Sequence, residues 1–233
     1  MGGKHAGRTS SEHAIRPHAE KIRDGSYHGI SEFVARRDWQ RRRQAPGLQV
    51  LPSSAIRKFA DRFPATLEGI KQMALEIGSF ERVDVGQGLC GRLYGFRTAH
   101  DVISTRRIMT GARLVGGCMD YSHAMIGALR AKGLKASLVR FKDVINSQGY
   151  MGYHALVRFE LGGRWYAADA DPSVTPKIVE ETDSQRRAIA AQKRAGRLTE
   201  GLDGWDIGIT KHNGVIRILK PQSNTPWFIP EAN

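Results

Sequence analysis

Two cysteines, Cys90 and Cys118, are all that this chain of 233 residues carries. Two cannot build a disulfide scaffold, and neither lies in a CxxC, so a structural zinc knuckle is not expected. No stretch approaches the roughly 20 apolar residues of a membrane-spanning helix. The polar, basic start MGGKHAGRTSSEHAIRPH lacks the apolar segment of a secretory signal. A cytoplasmic location without membrane insertion is therefore expected. There is no dense acidic loop of the EF-hand kind to hold calcium, and neither a metal nor a cofactor is expected. RNP, zinc-finger and clear helix-turn-helix signatures are missing too, although the formal charge is +13. Charge alone predicts only a sequence-independent attraction to polyanions.

What is present is 40% hydrophobic content, enough for one good-sized core. Residues 1 to about 50 are poor in large apolar side chains and carry the run RRDWQRRRQAPG. They read as a basic, disordered arm able to contact polyanions. From 53 to 233 the pattern is that of a folded domain. Ser53 or Ser54 is placed to cap a helix with Ile56, Phe59, Ala60 and Phe63 on one side, which Pro64 breaks. Leu67, Ile70, Met73, Ala74 and Ile77 then repeat at helical spacing, with Gly78 as the stop. Residues 79–97 read as loop with short extended pieces, and 98–110 as a short helix. The glycine turn Gly116-Gly117 precedes an amphipathic helix whose buried face carries Met125, Ile126 and Leu129. Strands are expected at 134–141, 153–161 and 164–170, the last two joined by a Gly162-Gly163 hairpin turn. A charged helical stretch at 180–197 and a second hairpin at 205–219, turning at Asn213-Gly214, complete the expectation.

The chemistry gathers on this middle segment. A thiol is a useful nucleophile as thiolate, and a helix N-terminus favours negative charge. Cys118 opens the expected helix, and its own N–H is placed to donate to the oxyanion of a tetrahedral intermediate. Gly116 and Gly117 would let an acyl substrate approach the backbone. A nucleophile needs a base, and the base an orienting group. With Gly162-Gly163 as the turn, His154 and Asp169 fall almost opposite each other across the ladder, at the cross-strand scale that a hydrogen bond needs. Cys90, in GQGLCGR, reads as a small buried residue or a loop thiol, and His123 as structural or pocket-lining. Tyr150 and Tyr153 could border a cleft, and Trp165 could form a core or pocket wall. A metal site of Cys118, His123, His154 and Asp169 matches no standard zinc spacing.

These segments, GGCMDYSHAMIGALRAKGLKASLV followed by YHALVRFELGGRWYAADADPS, resemble the transglutaminase-like superfamily of papain-type thiol enzymes. The resemblance rests on a glycine-flanked cysteine opening a helix, an LRAxGxxA stretch, a HAxV strand, and a tryptophan with an aspartate four residues on. It covers roughly residues 100 to 175. It implies an α+β papain-like core in which the helix packs on a small antiparallel sheet, with Cys118 as nucleophile, His154 as base and Asp169 as orienting acid. Two departures stand out. Leu156 occupies a position where the family often has tryptophan. The aspartate that precedes proline is Asp171, which stays open as the alternative acid, although the spacing from Trp165 favours Asp169. The family includes proteases, amidases and crosslinking transglutaminases. Hydrolysis of a peptide or amide bond in a protein or peptide substrate is the expectation, because a crosslinker must shield its acyl-enzyme from water and no feature shows that shield. Protein-glutamine crosslinking is the alternative. From another class, the rival is a basic nucleic-acid-binding module with a structural or vestigial thiol.

Overall fold

The computed structural model describes residues 47–85, 97–111, 117–145, 151–172, 174–175, 177–204 and 206–207, with the side chains of 142–145 and 151–153 left aside. The arm to residue 46, Cys90, Gly116, Tyr150, the side chain of Tyr153 and the 205–219 hairpin apart from 206–207 lie outside them.

A short 3-10 turn at Leu48–Val50 leads into α1 (Ser54–Ala60) and α2 (Leu67–Gly78). Both helices begin where a hydroxyl can satisfy an otherwise orphaned N–H: Ser53 accepts from Ile56 N, and Thr66 from Gly69 N. Phe63 falls beyond the end of α1 yet stays buried, its ring against Phe59. Val50 belongs to the same core and Gln49 N donates to Asp203 at 3.0 Å, so packing begins ahead of residue 53.

Strand β1 (Glu81–Asp84) pairs in parallel with β2 (Arg107–Thr110), and α3 (Ala99–Thr105) lies between them in sequence. The helix expected over 98–110 is thus two elements. A capping box of Thr98 and Asp101 starts it, but Arg106 takes φ 52° and ends it. The following Arg-Ile-Met-Thr then pairs with β1 instead of making another helical turn.

Helix α4 (Cys118–Ala131) lies at the centre of the described core. The sequence predicts one buried face; instead every residue from Cys118 to Leu129 is buried. The helix touches α1, α2, α3, β2 and the sheet at once, and a helix packed all round belongs to the interior. Gly127 permits this, since a Cβ there would sit 2.6 Å from the Cβ of Ala99 on α3.

The sheet has the order β6-β5-β4-β3-β7 with antiparallel neighbours: β3 (Ala136–Ile145), β4 (Met151–Leu161), β5 (Arg164–Ala168), β6 (Ile178–Glu180) and β7 (Leu198–Gly201). Gly162 and Gly163 make the β4–β5 turn with φ 60° and 77°, as their positions in the sequence require. Alternation divides the two faces. Leu138, Ala155, Val157, Phe159, Tyr166 and Ala168 join the core around α4. Val139, Leu156, Ala167 and Leu198 form a smaller cluster with Phe141 and with Ile189 of α5 (Asp183–Arg194). The architecture is α+β, as expected. Among the described residues no helix is long and apolar enough to cross a membrane.

Asp120 ties the N-terminus of α4 to its surroundings. Its carboxylate accepts from the Arg97 guanidinium and from Met109 N of β2, the latter at 2.9 Å. Arg97 also donates to the Arg107 carbonyl at 3.0 Å. Both side chains of this ion pair are almost wholly buried. Removing one partner strands the other in a low-dielectric interior, at a cost of about 3–5 kcal/mol. Asp120→Ala should lower unfolding stability by about that much in urea titration, with little change in slope.

Candidate active site

Cys118 is the first residue of α4, preceded by Gly117 as N-cap with φ 99°. This position excludes a side chain twice over: the left-handed backbone disfavours one, and a Cβ would lie 2.8 Å from Ile108 Cγ2. No side chain caps the helix, so the positive end of its dipole faces the region of the sulfur. Cys118 is in no disulfide and is buried, with 6% of its surface exposed.

His154 enters from β4, cross-strand from Phe141. By alternation it shares the sheet face of Leu156, away from the one that packs on α4. Its ring nevertheless hydrogen-bonds the Cys118 side chain. Pairing of β4 with β5 stops at Val157–Ala168, so β4 from 151 to 156 has no β5 partner.

Asp169 follows the last residue of β5. Its N–H donates to the Lys177 carbonyl at 2.9 Å, continuing the alignment with β6. One carboxylate oxygen, Oδ2, bonds His154 Nε2, and the other, Oδ1, accepts from Asp171 N at 2.9 Å. With Nε2 so engaged, Nδ1 is the ring nitrogen left to face Cys118. The three residues singled out in the sequence are therefore brought together as Cys118, His154 and Asp169 in a hydrogen-bonded row.

The route differs from the one expected. The observed register, Val157 with Ala168, would set Asp169 opposite Leu156 and Asp171 opposite His154 if the ladder ran on. His154 and Asp169 are diagonal neighbours whose side chains close the gap. Asp171 enters through its backbone N–H, which forms an Asx-type turn with Asp169. Trp165 is placed elsewhere: it pairs with Glu160 near the hairpin turn, and the Arg158 guanidinium covers its ring at 4.9 Å. Tyr153 stands next to His154 on β4, opposite Lys142.

The electrostatics follow from these partners. Burial alone would push the His154 imidazole to lower pKa, but its hydrogen bonds to Asp169 and to Cys118 outweigh that and raise it to about 10. His154 is accordingly a cation at neutral pH. His123 has the opposite fate. It is fully buried, and neither ring nitrogen has a hydrogen bond of normal geometry. Burial lowers it to about 4, with the nearby Arg97 carbonyl pulling weakly the other way. It is a neutral core residue on another side of α4.

Sequence reasoning missed Arg97, Tyr121 and Lys177. Tyr121, one turn after Cys118, is buried beside Gly117, and its hydroxyl has no hydrogen-bond partner among the described residues. Burial first, and then the neighbouring aspartates, raise it to about 12 against the pull of Arg82. An aromatic three residues after a helix-opening cysteine could have been flagged by helical spacing. Arg97 and Lys177 lie in loops and carried no such signal. Among the described residues no group of three or more His, Cys, Asp or Glu side chains converges to hold a metal ion.

No family model matches this chain, and neither does any curated protein. Among solved structures, it is similar to a candidate cysteine protease from Cytophaga hutchinsonii, at 17% identity and TM-score 0.45, over 69% of this chain and 48% of that one. It is also similar to a TGase, at 16% identity and TM-score 0.35, over 74% of this chain and 41% of that one. The chain thus spans less than half the length of each of these structures.

Proposed function

We propose that this protein is a cysteine-dependent acyl-transfer enzyme that hydrolyses a peptide or amide bond through a thioester. The observation that carries the reading is the His154 imidazole hydrogen-bonded on one side to Cys118 and on the other to Asp169. The imidazolium faces the sulfur, so that Cys118 attacks the carbonyl carbon as thiolate. The tetrahedral oxyanion is met by the Cys118 N–H at the helix tip. The imidazolium gives its proton to the leaving nitrogen as the C–N bond breaks, leaving the thioester and a neutral imidazole. That imidazole takes a proton from water, the resulting hydroxide attacks the thioester carbonyl, and breaking of the C–S bond returns the thiolate beside the imidazolium. Asp169 keeps the ring oriented and offsets its charge throughout. An amine in place of water would turn the same cycle into crosslinking.

Cys118 should be alkylated by iodoacetamide at pH 6 faster than a free thiol, and denaturation or His154→Ala should abolish the advantage; mass spectrometry locates the label. An unenhanced rate in the folded wild type would sink the reading. Hydrolysis of casein-derived fluorogenic peptides, run beside dansylcadaverine incorporation, separates hydrolysis from crosslinking.

Asp169→Asn should lower kcat by roughly 10²–10⁴-fold, the scale of a general acid–base defect. Asp171→Asn, which keeps the backbone donor, should cost far less. Equal losses would restore Asp171 as the orienting acid.

Stability should carry the same signature. The folded protein raises His154 from the ordinary 6.5 to about 10. Its contribution to folding is therefore fully present below about pH 6.5 and is lost as pH rises towards 10. The advantage of wild type over His154→Gln in urea midpoint should shrink between pH 6 and pH 10.

A further inference from the structure

Between β5 and β6 the chain makes a loop whose ends and middle are fastened by one residue. The Lys177 carbonyl accepts from Asp169 N at 2.9 Å. Its ammonium donates to the carbonyls of Asp171 and Val174. The Asp171 carbonyl is met a second time by Val174 N at 3.0 Å. The Asp171 peptide is thus held from its carbonyl side while its own N–H holds Asp169 Oδ1. Two carbonyls three residues apart, both aimed at one lysine, make a cation seat, and an apolar side chain there would remove the ammonium from both. Burial pulls the ammonium down from the ordinary lysine range, while Asp169 and Asp171 pull it back.

We propose that Lys177 is a positioning residue for Asp169. Its ammonium fixes the Asp171–Val174 turn, the turn's Asp171 N–H claims one oxygen of Asp169, and the other oxygen stays on His154. The inference rests on reading Cys118, His154 and Asp169 as the catalytic row. Without the ammonium the turn loosens and Asp169 is free to rotate off the imidazole. The imidazolium then loses its support, and the sulfur loses the cation facing it at low pH.

The test is the rate of Cys118 alkylation by iodoacetamide at pH 6 relative to pH 9, measured in the full chain together with Tm. At pH 9 a thiol ionises with little help, so the ratio isolates the contribution of the imidazolium. Lys177→Met should lower the ratio roughly tenfold, the scale at which removing an outer support impairs other sites. Lys177→Arg, which keeps charge and donors, should return it to within about threefold of wild type. A lower Tm in Lys177→Met with an unchanged ratio overturns the proposal and leaves Lys177 as a loop staple. If Lys177→Met does not fold, Lys177→Gln, with a neutral donor, decides the matter: an intermediate ratio supports the proposal, a wild-type ratio overturns it. A wild-type ratio no higher than that of a free thiol removes the catalytic reading itself, an outcome distinct from failure of the variants.

Discussion

Asp120 is a charge buried one step inside the N-terminus of the central helix, and the geometry around Cys118 depends on its being satisfied there. Arg97 and the Met109 N–H supply the partners, and through them α4 is joined to the segment before α3 and to β2. A helix end otherwise leaves several N–H groups without partners and is free to fray. Here the first turn is held in a dry environment by a charge-assisted contact, and Gly117 lets β2 pack directly against the helix entrance. The sulfur is therefore presented from a fixed point, which is what the proposed role of Cys118 would require.

Two histidines, His123 fully buried and His154 partly so, show how much the partner matters. His123 and His154 both suffer the desolvation that disfavours the charged ring. His154 has a carboxylate on one nitrogen and a thiol facing the other, and keeps its proton to about pH 10. His123 has neither, and stays neutral down to about pH 4. Desolvation acts on both rings in the same direction; the hydrogen-bond partners reverse the sign of the shift.

The far face of the sheet is organised by a different set of charges. Arg158 makes hydrogen bonds to both carboxylate oxygens of Glu181, at 2.6 and 2.7 Å, and reaches Glu200, which also accepts from Ser137. The guanidinium plane meanwhile covers Trp165. This network joins β3, β4 and β7 to the residue just after β6, and it gives Trp165 a structural place away from the thiol.

Much of this was legible in order along the chain. The hydroxyl at Ser53 marks a helix start, because an N-cap is a local contract between a side chain and an N–H three residues on. Gly162-Gly163 marks a hairpin because the turn needs positive φ. Cys118 at a helix start, with His154 and a carboxylate of the next strand downstream, follows from the same local signals. Distant contacts were not legible. Arg97 finding Asp120, Lys177 gripping its loop, and Arg106 ending a helix so that 107–110 could pair with β1 all depend on segments that meet only in the folded chain. The choice between the two aspartates was of that kind as well. Alternation and the turn place both on one strand face, and continued pairing would have set Asp171 opposite His154. Because β5 leaves β4 at Ala168, Asp169 alone turns its carboxylate onto the imidazole and Asp171 contributes a peptide N–H. By itself, then, the sequence determined which residues begin helices, turn hairpins and carry reactive groups, since those depend on near neighbours. Which carboxylate meets the ring was decided by where a strand stops pairing, a property of the whole sheet.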